Sequence, residues 1–215
     1  MRHVLGVIGG LGYESTIHFQ TVLMKSLRRR SEFSHREIFP TLVWNVVPPG
    51  TDCVTLDDDE VKKFILAGAT CLTSIGATLC VLPCNTHCHV SDPRILSMFD
   101  ALSDHLFREY NGSALGLIAT DATARNLKRK LPHITFHVPP SGVVDKLIRS
   151  IEGGVTPSTC AELEQVIFGI RNTTIVIGCS DISVCLRRMG SVGKKIIDAH
   201  QILADAVIRM FSASS

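Results

Sequence analysis

Short apolar runs alternate along this chain with longer stretches in which apolar residues recur every three or four positions. Residues 4–8 form an apolar run that ends in Gly9-Gly10-Leu11-Gly12, after which Ile17, Phe19, Val22, Leu23 and Leu27 fall at helical spacing. The pattern predicts a strand, a glycine loop and a helix. A second strand is expected over residues 41–47, closed by Pro48-Pro49-Gly50. Asp57-Asp58-Asp59-Glu60 then place negative charge where a helix start favours it, and that helix is expected to run to about Ser74. Residues 79–82 read as a buried strand stopped by Pro83, with Cys84-Asn85-Thr86 beginning a turn that should open a helix.

The second half repeats the rhythm. Helices are expected over residues 100–110, 122–131, 142–151, 159–170, 182–189 and 200–211, the fourth of them from position 159 with Ser158 or Thr159 as its cap. Strands are expected over 115–119, 134–138 and 195–197, and in the β-branched run from Thr173 that ends at Gly178 before Cys179-Ser180-Asp181. Regular alternation of this kind predicts the α/β class with parallel sheets.

An internal echo sharpens the prediction. The stretch from Gly6 to Thr16 lines up with Gly116-Leu117-Ile118-Ala119-Thr120-Asp121-Ala122-Thr123, and the strand before Cys84 lines up with the strand before Cys179. The order of parts is the same although the loops differ in length. Two pseudo-symmetric parallel-sheet α/β domains facing each other across a cleft are therefore expected. Their predicted extents are 1–98 plus 198–215, closed by the C-terminal helix, and 99–197.

Composition narrows the function classes. At 215 residues and 45% hydrophobic the chain has enough apolar material for one large core or two small ones. A net charge of +2 supplies no overall basic field for nucleic acid, and Arg28-Arg29-Arg30 reads as the solvated end of a helix. No apolar run approaches the roughly 20 residues that span a bilayer, so no membrane role is expected. The eight cysteines, in a chain too long for a disulfide scaffold and with no signal peptide at its start, read as thiols of a reducing cytoplasm.

Cys84 and Cys179 stand out by their matched settings at the exits of apolar strands. Ligands of open parallel sheets bind beyond the carboxyl ends of the strands, and a helix N-terminus lowers a thiol from its usual pKa of about 8.5 toward neutrality. A thiolate and a thiol together permit two-base racemisation, in which one removes the α-proton of an amino acid and the other delivers a proton to the opposite face. The backbone N–H groups of Asn85, Thr86, Ser180 and Asp181 would hold the α-carboxylate, and Asp181 or His87 would tune the nearer thiol. Against this stand blander readings. Cys71, Cys80 and Cys160 read as small buried hydrophobes. Cys80, Cys84, His87, Cys88 and His89 crowd one stretch as zinc ligands do, but no second ligand pair of similar spacing accompanies them. The first glycine loop lacks the spacing of a dinucleotide-binding turn.

Taken with GVIGGLGYEST, PCNT at positions 83–86, GLIATDAT at 116–123 and GCSDI at 178–182, the chain resembles the aspartate/glutamate racemase superfamily. Tyr13 stands where that family commonly carries proline, and Cys88 where it carries histidine. The resemblance implies a cofactor-independent racemase of aspartate and/or glutamate with catalytic Cys84 and Cys179. It also implies a substrate site lined by Gly10, Asn85, Thr86, Thr120, Thr123, Ser180 and Asp181. Lys146 falls where some aspartate racemases place a lysine on the side-chain carboxylate. Neither a metal nor another cofactor is implied, the partner is a small amino acid, and a homodimer is common in the family. Relatives that decarboxylate or isomerise related dicarboxylates share the fold, and a zinc- or thiol-based binding module remains the non-catalytic alternative.

Overall fold

The computed structural model describes residues 3–30, 39–46, 58–86 and 90–213. The chain divides into two units, Met1–Ala101 with His200–Ser215 and Leu102–Ala199. The first unit is built on β1 (Leu5–Gly9), β2 (Thr41–Asn45), β3 (Leu79–Leu82) and β4 (Ile95–Ser97), paired in parallel in the order β2-β1-β3-β4. The second is built on β5 (Ala114–Ile118), β6 (Thr135–His137), β7 (Thr174–Ile177) and β8 (Lys195–Asp198), in the order β6-β5-β7-β8. The two sheets thus have one topology, as the echo predicts, and the α/β class with parallel sheets is the architecture found.

Periodicity explains the layers around each sheet. Helix α1 (Tyr13–Arg29) follows β1, and α2 (Asp58–Ser74) buries Val61, Ile65, Ala69 and Leu72, a stripe at helical spacing that joins Ile8, Cys80 and Leu82 in the core of the first unit. Gly68 on α2 lets Trp44 of β2 lie close, because a Cβ there would come within 2.5 Å of the indole. Helix α3 (Met98–Tyr110) leads into the second unit, where α4 (Asp121–Lys130) follows β5. Helix α5 (Val143–Glu152) buries Val144, Leu147, Ile148 and Ile151, and α6 (Pro157–Gly169) adds Leu163 and Ile167 over Ile175 and Ile177. Each of these side chains contributes about 1.5–3 kcal/mol on burial. Helix α7 (Ser180–Met189) follows β7, and α8 (Ala199–Ala213) returns the chain to the first unit from His200 onward.

Two expectations need correction. Among the described residues no helix follows Cys84: Asn85 and Thr86 lie in a bend and turn, and residues 90–94 are coil and turn. Asp92 closes an Asx turn there, its carboxylate accepting from the Arg94 backbone N–H at 2.9 Å, and the chain passes directly into β4. That three-residue strand is not evident in the periodicity. Helix α6 begins before position 159, capped by Thr156, whose hydroxyl accepts from the Thr159 N–H at 3.2 Å in a reciprocal capping box, with Pro157 in its first turn. The proline turn at 48–50, Asp57 and the histidine and cysteine positions 87–89 lie outside the described residues.

Candidate active site

Parallel strands deliver their carboxyl ends to one edge of a sheet, and each sheet here places a cysteine two residues beyond its third strand in chain order. Cys84 follows β3 across Pro83, and Cys179 follows β7 across Gly178. Both strands pair with the first strand of their own unit, Val81 beside Val7 and Val176 beside Leu117. Cys84 is 5% exposed and Cys179 4%, and each borders the apolar core of its unit. All six described cysteines are thiols.

In the second unit the thiol is held by a helix start. Cys179 is the N-cap of α7, its carbonyl accepting from the Ser183 N–H at 3.4 Å, so the positive end of the helix dipole lies beside its sulfur. The thiol donates to Asp181 Oδ2 at 3.8 Å. Ser183 Oγ donates to Asp198 Oδ1 at 2.8 Å, tying α7 to the end of β8. Gly178 has its N–H on the Ile118 carbonyl at 2.8 Å, and a Cβ there would stand 3.0 Å from Ala119 Cβ. Beside it, Thr120 caps α4, accepting from the Thr123 N–H at 3.2 Å and donating to Thr123 Oγ1 at 2.9 Å. Both threonines are buried.

In the first unit a tight glycine loop takes the place of the threonine cap. Gly10 has φ +99, and a Cβ there would stand 1.9 Å from the Val46 carbonyl oxygen, so only glycine fits. Its N–H donates to Thr16 Oγ1 at 3.4 Å. Asn85 is 2% exposed and Thr86 half-buried in the turn after Cys84. Helix α1 buries an unusually polar face, with Ser15, Thr16, His18 and Ser26 inward while Ile17 is 49% exposed. Ser15 Oγ lies 3.3 Å from the Pro83 carbonyl and 3.1 Å from His200 Nε2, and the His18 and His200 rings meet edge to face at 4.8 Å.

Sequence reasoning assigned no role to Ser15 or His200. The signal for Ser15 was its place: it is the third residue of α1, as Thr123 is the third of α4. His200 is 185 positions from Ser15, and nothing local points to it.

Within its own unit Lys146 lies on α5, outside the turns that carry Thr120, Thr123, Ser180 and Asp181. It is exposed on α5 and lines a groove of about 850 Å³ with His137, Pro139, Glu162 and Arg171. Its neighbour Asp145 turns the other way and accepts from the Asp121 N–H at 3.4 Å. The remaining cysteines separate by environment. Cys80 is buried and its thiol is pushed up by that burial, while Cys71, expected inside, is exposed on α2. Cys185 lies 3.7 Å from Cys160, sulfur to sulfur, and burial with that neighbour pushes it up to about 12, which keeps it protonated and unreactive.

Among the described residues no helix is long and apolar enough to cross a membrane. No protein-family model and no curated protein matches the chain. Solved structures do. The chain is similar to the Picrophilus torridus aspartate racemase (TM-score 0.77, 23% identity, 97% of this chain and 94% of that one). It is similar to an aspartate racemase homologue from Pyrococcus horikoshii OT3 (0.70, 18%, 99% and 100%). It is also similar to the glutamate racemase from Francisella tularensis subsp. tularensis SCHU S4 in complex with D-glutamate (0.68, 15%, 99% and 82%). What is common at these identities is architecture, and over nearly its whole length the chain has the two-domain α/β fold of the aspartate and glutamate racemases.

Proposed function

We propose that this protein interconverts the L and D forms of aspartate and/or glutamate, with Cys84 and Cys179 as its two acid–base groups. The observation that carries the reading is the repeated placement of a buried thiol two residues beyond equivalent strands of two sheets with the same strand order. A racemase needs two proton-transfer groups because the proton leaves one face of the α-carbon and returns to the other. A duplicated unit supplies such a pair. Proteins of this fold named as aspartate and glutamate racemases add support.

In this scheme one sulfur, as thiolate, takes the α-proton, and the C–H bonding pair stays on carbon and spreads into the α-carboxylate. The other thiol then protonates the opposite face. The first turn of α7, with Ser180 and Asp181, holds the carboxylate as negative charge moves onto it, since a helix N-terminus favours an anion. Asp181 accepts the Cys179 proton through the contact already formed and returns it. Gly10, Asn85, Thr86, Thr120 and Thr123 complete the surroundings, and Lys146 is a candidate partner of the side-chain carboxylate.

The test is incubation of the purified protein, without added pyridoxal phosphate or metal, with each enantiomer of aspartate and glutamate. Chiral chromatography should show the opposite enantiomer of at least one acid accumulating toward a 1:1 mixture. Conversion of none of the four, or loss of carbon dioxide in place of inversion, overturns the proposal.

A further inference from the structure

The polar inner face of α1 has no use in the scheme above, yet it ends on the peptide group that carries Cys84. Ser15 Oγ lies within hydrogen-bond reach of both the Pro83 carbonyl and His200 Nε2, and Ser15 and His200 are wholly buried. A hydroxyl has one proton and a carbonyl has none. Both contacts are hydrogen bonds at once in a single arrangement: Ser15 donates to Pro83, and His200 Nε2 carries a proton and donates to Ser15. The position of the imidazole proton thereby decides whether the Pro83 carbonyl is held.

That carbonyl matters because a peptide group is planar. Its oxygen and the Cys84 nitrogen and Cα lie in one plane, so a bond to the oxygen fixes the rotation of the plane and with it the root of the Cys84 side chain. The turn that carries Cys84 has no following helix to hold it among the described residues, whereas Cys179 is fixed by α7. We infer that Ser15 and His200 form a positioning relay that holds the Cys84 thiol in place for proton transfer. The inference rests on the reading of Cys84 as one of the two acid–base groups. His200 is itself anchored by packing, 6.5 Å from the Phe19 ring and 4.8 Å from that of His18.

Three variants test it: Ser15→Ala, His200→Phe, which keeps a ring in the pocket, and His200→Gln, which restores an amide N–H near the place of Nε2. With the substrate identified as above, Ser15→Ala and His200→Phe should each lower kcat about tenfold with KM changed less than about threefold, and His200→Gln should recover most of the loss. The discriminating readout is the primary isotope effect on each α-deuterated enantiomer. Slower transfer at Cys84 makes that step more rate-limiting, so the effect should rise for the enantiomer whose proton Cys84 removes and fall for the other.

A merely structural role lowers both rates and leaves the two isotope effects in their parent ratio, which would overturn the relay while leaving the racemase reading intact. Should the parent protein racemise nothing, alkylation by iodoacetamide, mapped to each cysteine by peptide mass spectrometry, still decides the matter. Ser15→Ala and His200→Phe should raise the Cys84 rate about threefold or more, with Cys179 unchanged, because a loosened turn exposes its thiol. An unchanged Cys84 to Cys179 ratio in both variants overturns the relay.

Discussion

The two cysteine turns stand at matching points of matching sheets, and they are held by different means. Cys179 is a helix N-cap: α7 begins at the next residue, a carboxylate two residues on meets the thiol, and glycine precedes it so that the strand packs against Ala119. Cys84 has proline before it and an Asx turn with a short strand after it, and its support arrives from elsewhere in the chain through Ser15 and His200. The common topology therefore fixes the placement of a sulfur while leaving open how it is secured. A local device serves one unit and a long-range one the other.

The difference extends to the cation before each fourth strand. Arg94 precedes β4 and pairs with Asp92 at 2.7 Å, whereas Lys194 precedes β8 and donates to the carbonyls of Ile167, Ile170 and Asn172 at the end of α6. One cation closes a turn, and the other caps a helix C-terminus as the helix dipole favours.

The largest expected effect treats the two thiols as equals. Cys84→Ser and Cys179→Ser should each lower racemisation by roughly 10³-fold or more, within the upper range for an acid–base group, measured by circular dichroism of the substrate. A loss confined to one of them would break the symmetry on which the proposed function stands. Next, Asp181→Asn should lower kcat about tenfold and split the two isotope effects in the sense opposite to Ser15→Ala, because it disturbs the other sulfur.

Smaller effects fall on stability, measured by urea unfolding. Lys194→Met should cost about 1–2 kcal/mol, since three carbonyls lose a charged donor. Asp92→Asn should cost only about 0.5 kcal/mol, as its partner is exposed to screening. Its pH dependence has a definite sign. The Arg94 side-chain hydrogen bond is the main cause that holds the Asp92 carboxyl at about 2, below its ordinary 3.8. The contribution is therefore full above about pH 4 and disappears as the pH falls through 2, so parent and Asp92→Asn should converge in strong acid.

Much of the fold is legible in the sequence because burial leaves a period. The stripe Val61, Ile65, Ala69, Leu72 and its counterpart Val144, Leu147, Ile148, Ile151 announce helices packed on sheets, and the all-apolar β3 announces a strand buried on both faces. Strand β4 was not legible: Asp92-Pro93-Arg94 stand directly before it and a helix directly after it, so it has no apolar run of its own, whereas the equally short β6 sits in the run from Ile134 to Val138. The helix expected after Cys84 rests on the turn that begins beyond Pro83, and Asp92-Pro93 is the local signal against it. Pro157 likewise marked the start of α6, since proline fits a first helical turn. The candidate site was legible as two cysteine turns and a threonine pair. The Ser15–His200 contact was not, because it joins residues near opposite ends of the chain.

The central claim, that two thiols exchange protons with the α-carbon from opposite faces, is tested most directly by following one α-protonated enantiomer of the accepted acid in deuterium oxide. Early in the reaction the account predicts that the product enantiomer carries one deuterium at its α-carbon while the recovered substrate keeps its hydrogen, and that either Cys→Ser variant abolishes this labelled product. A product enantiomer that retains the original hydrogen, or labelled product formed at the parent rate by both variants, would contradict it.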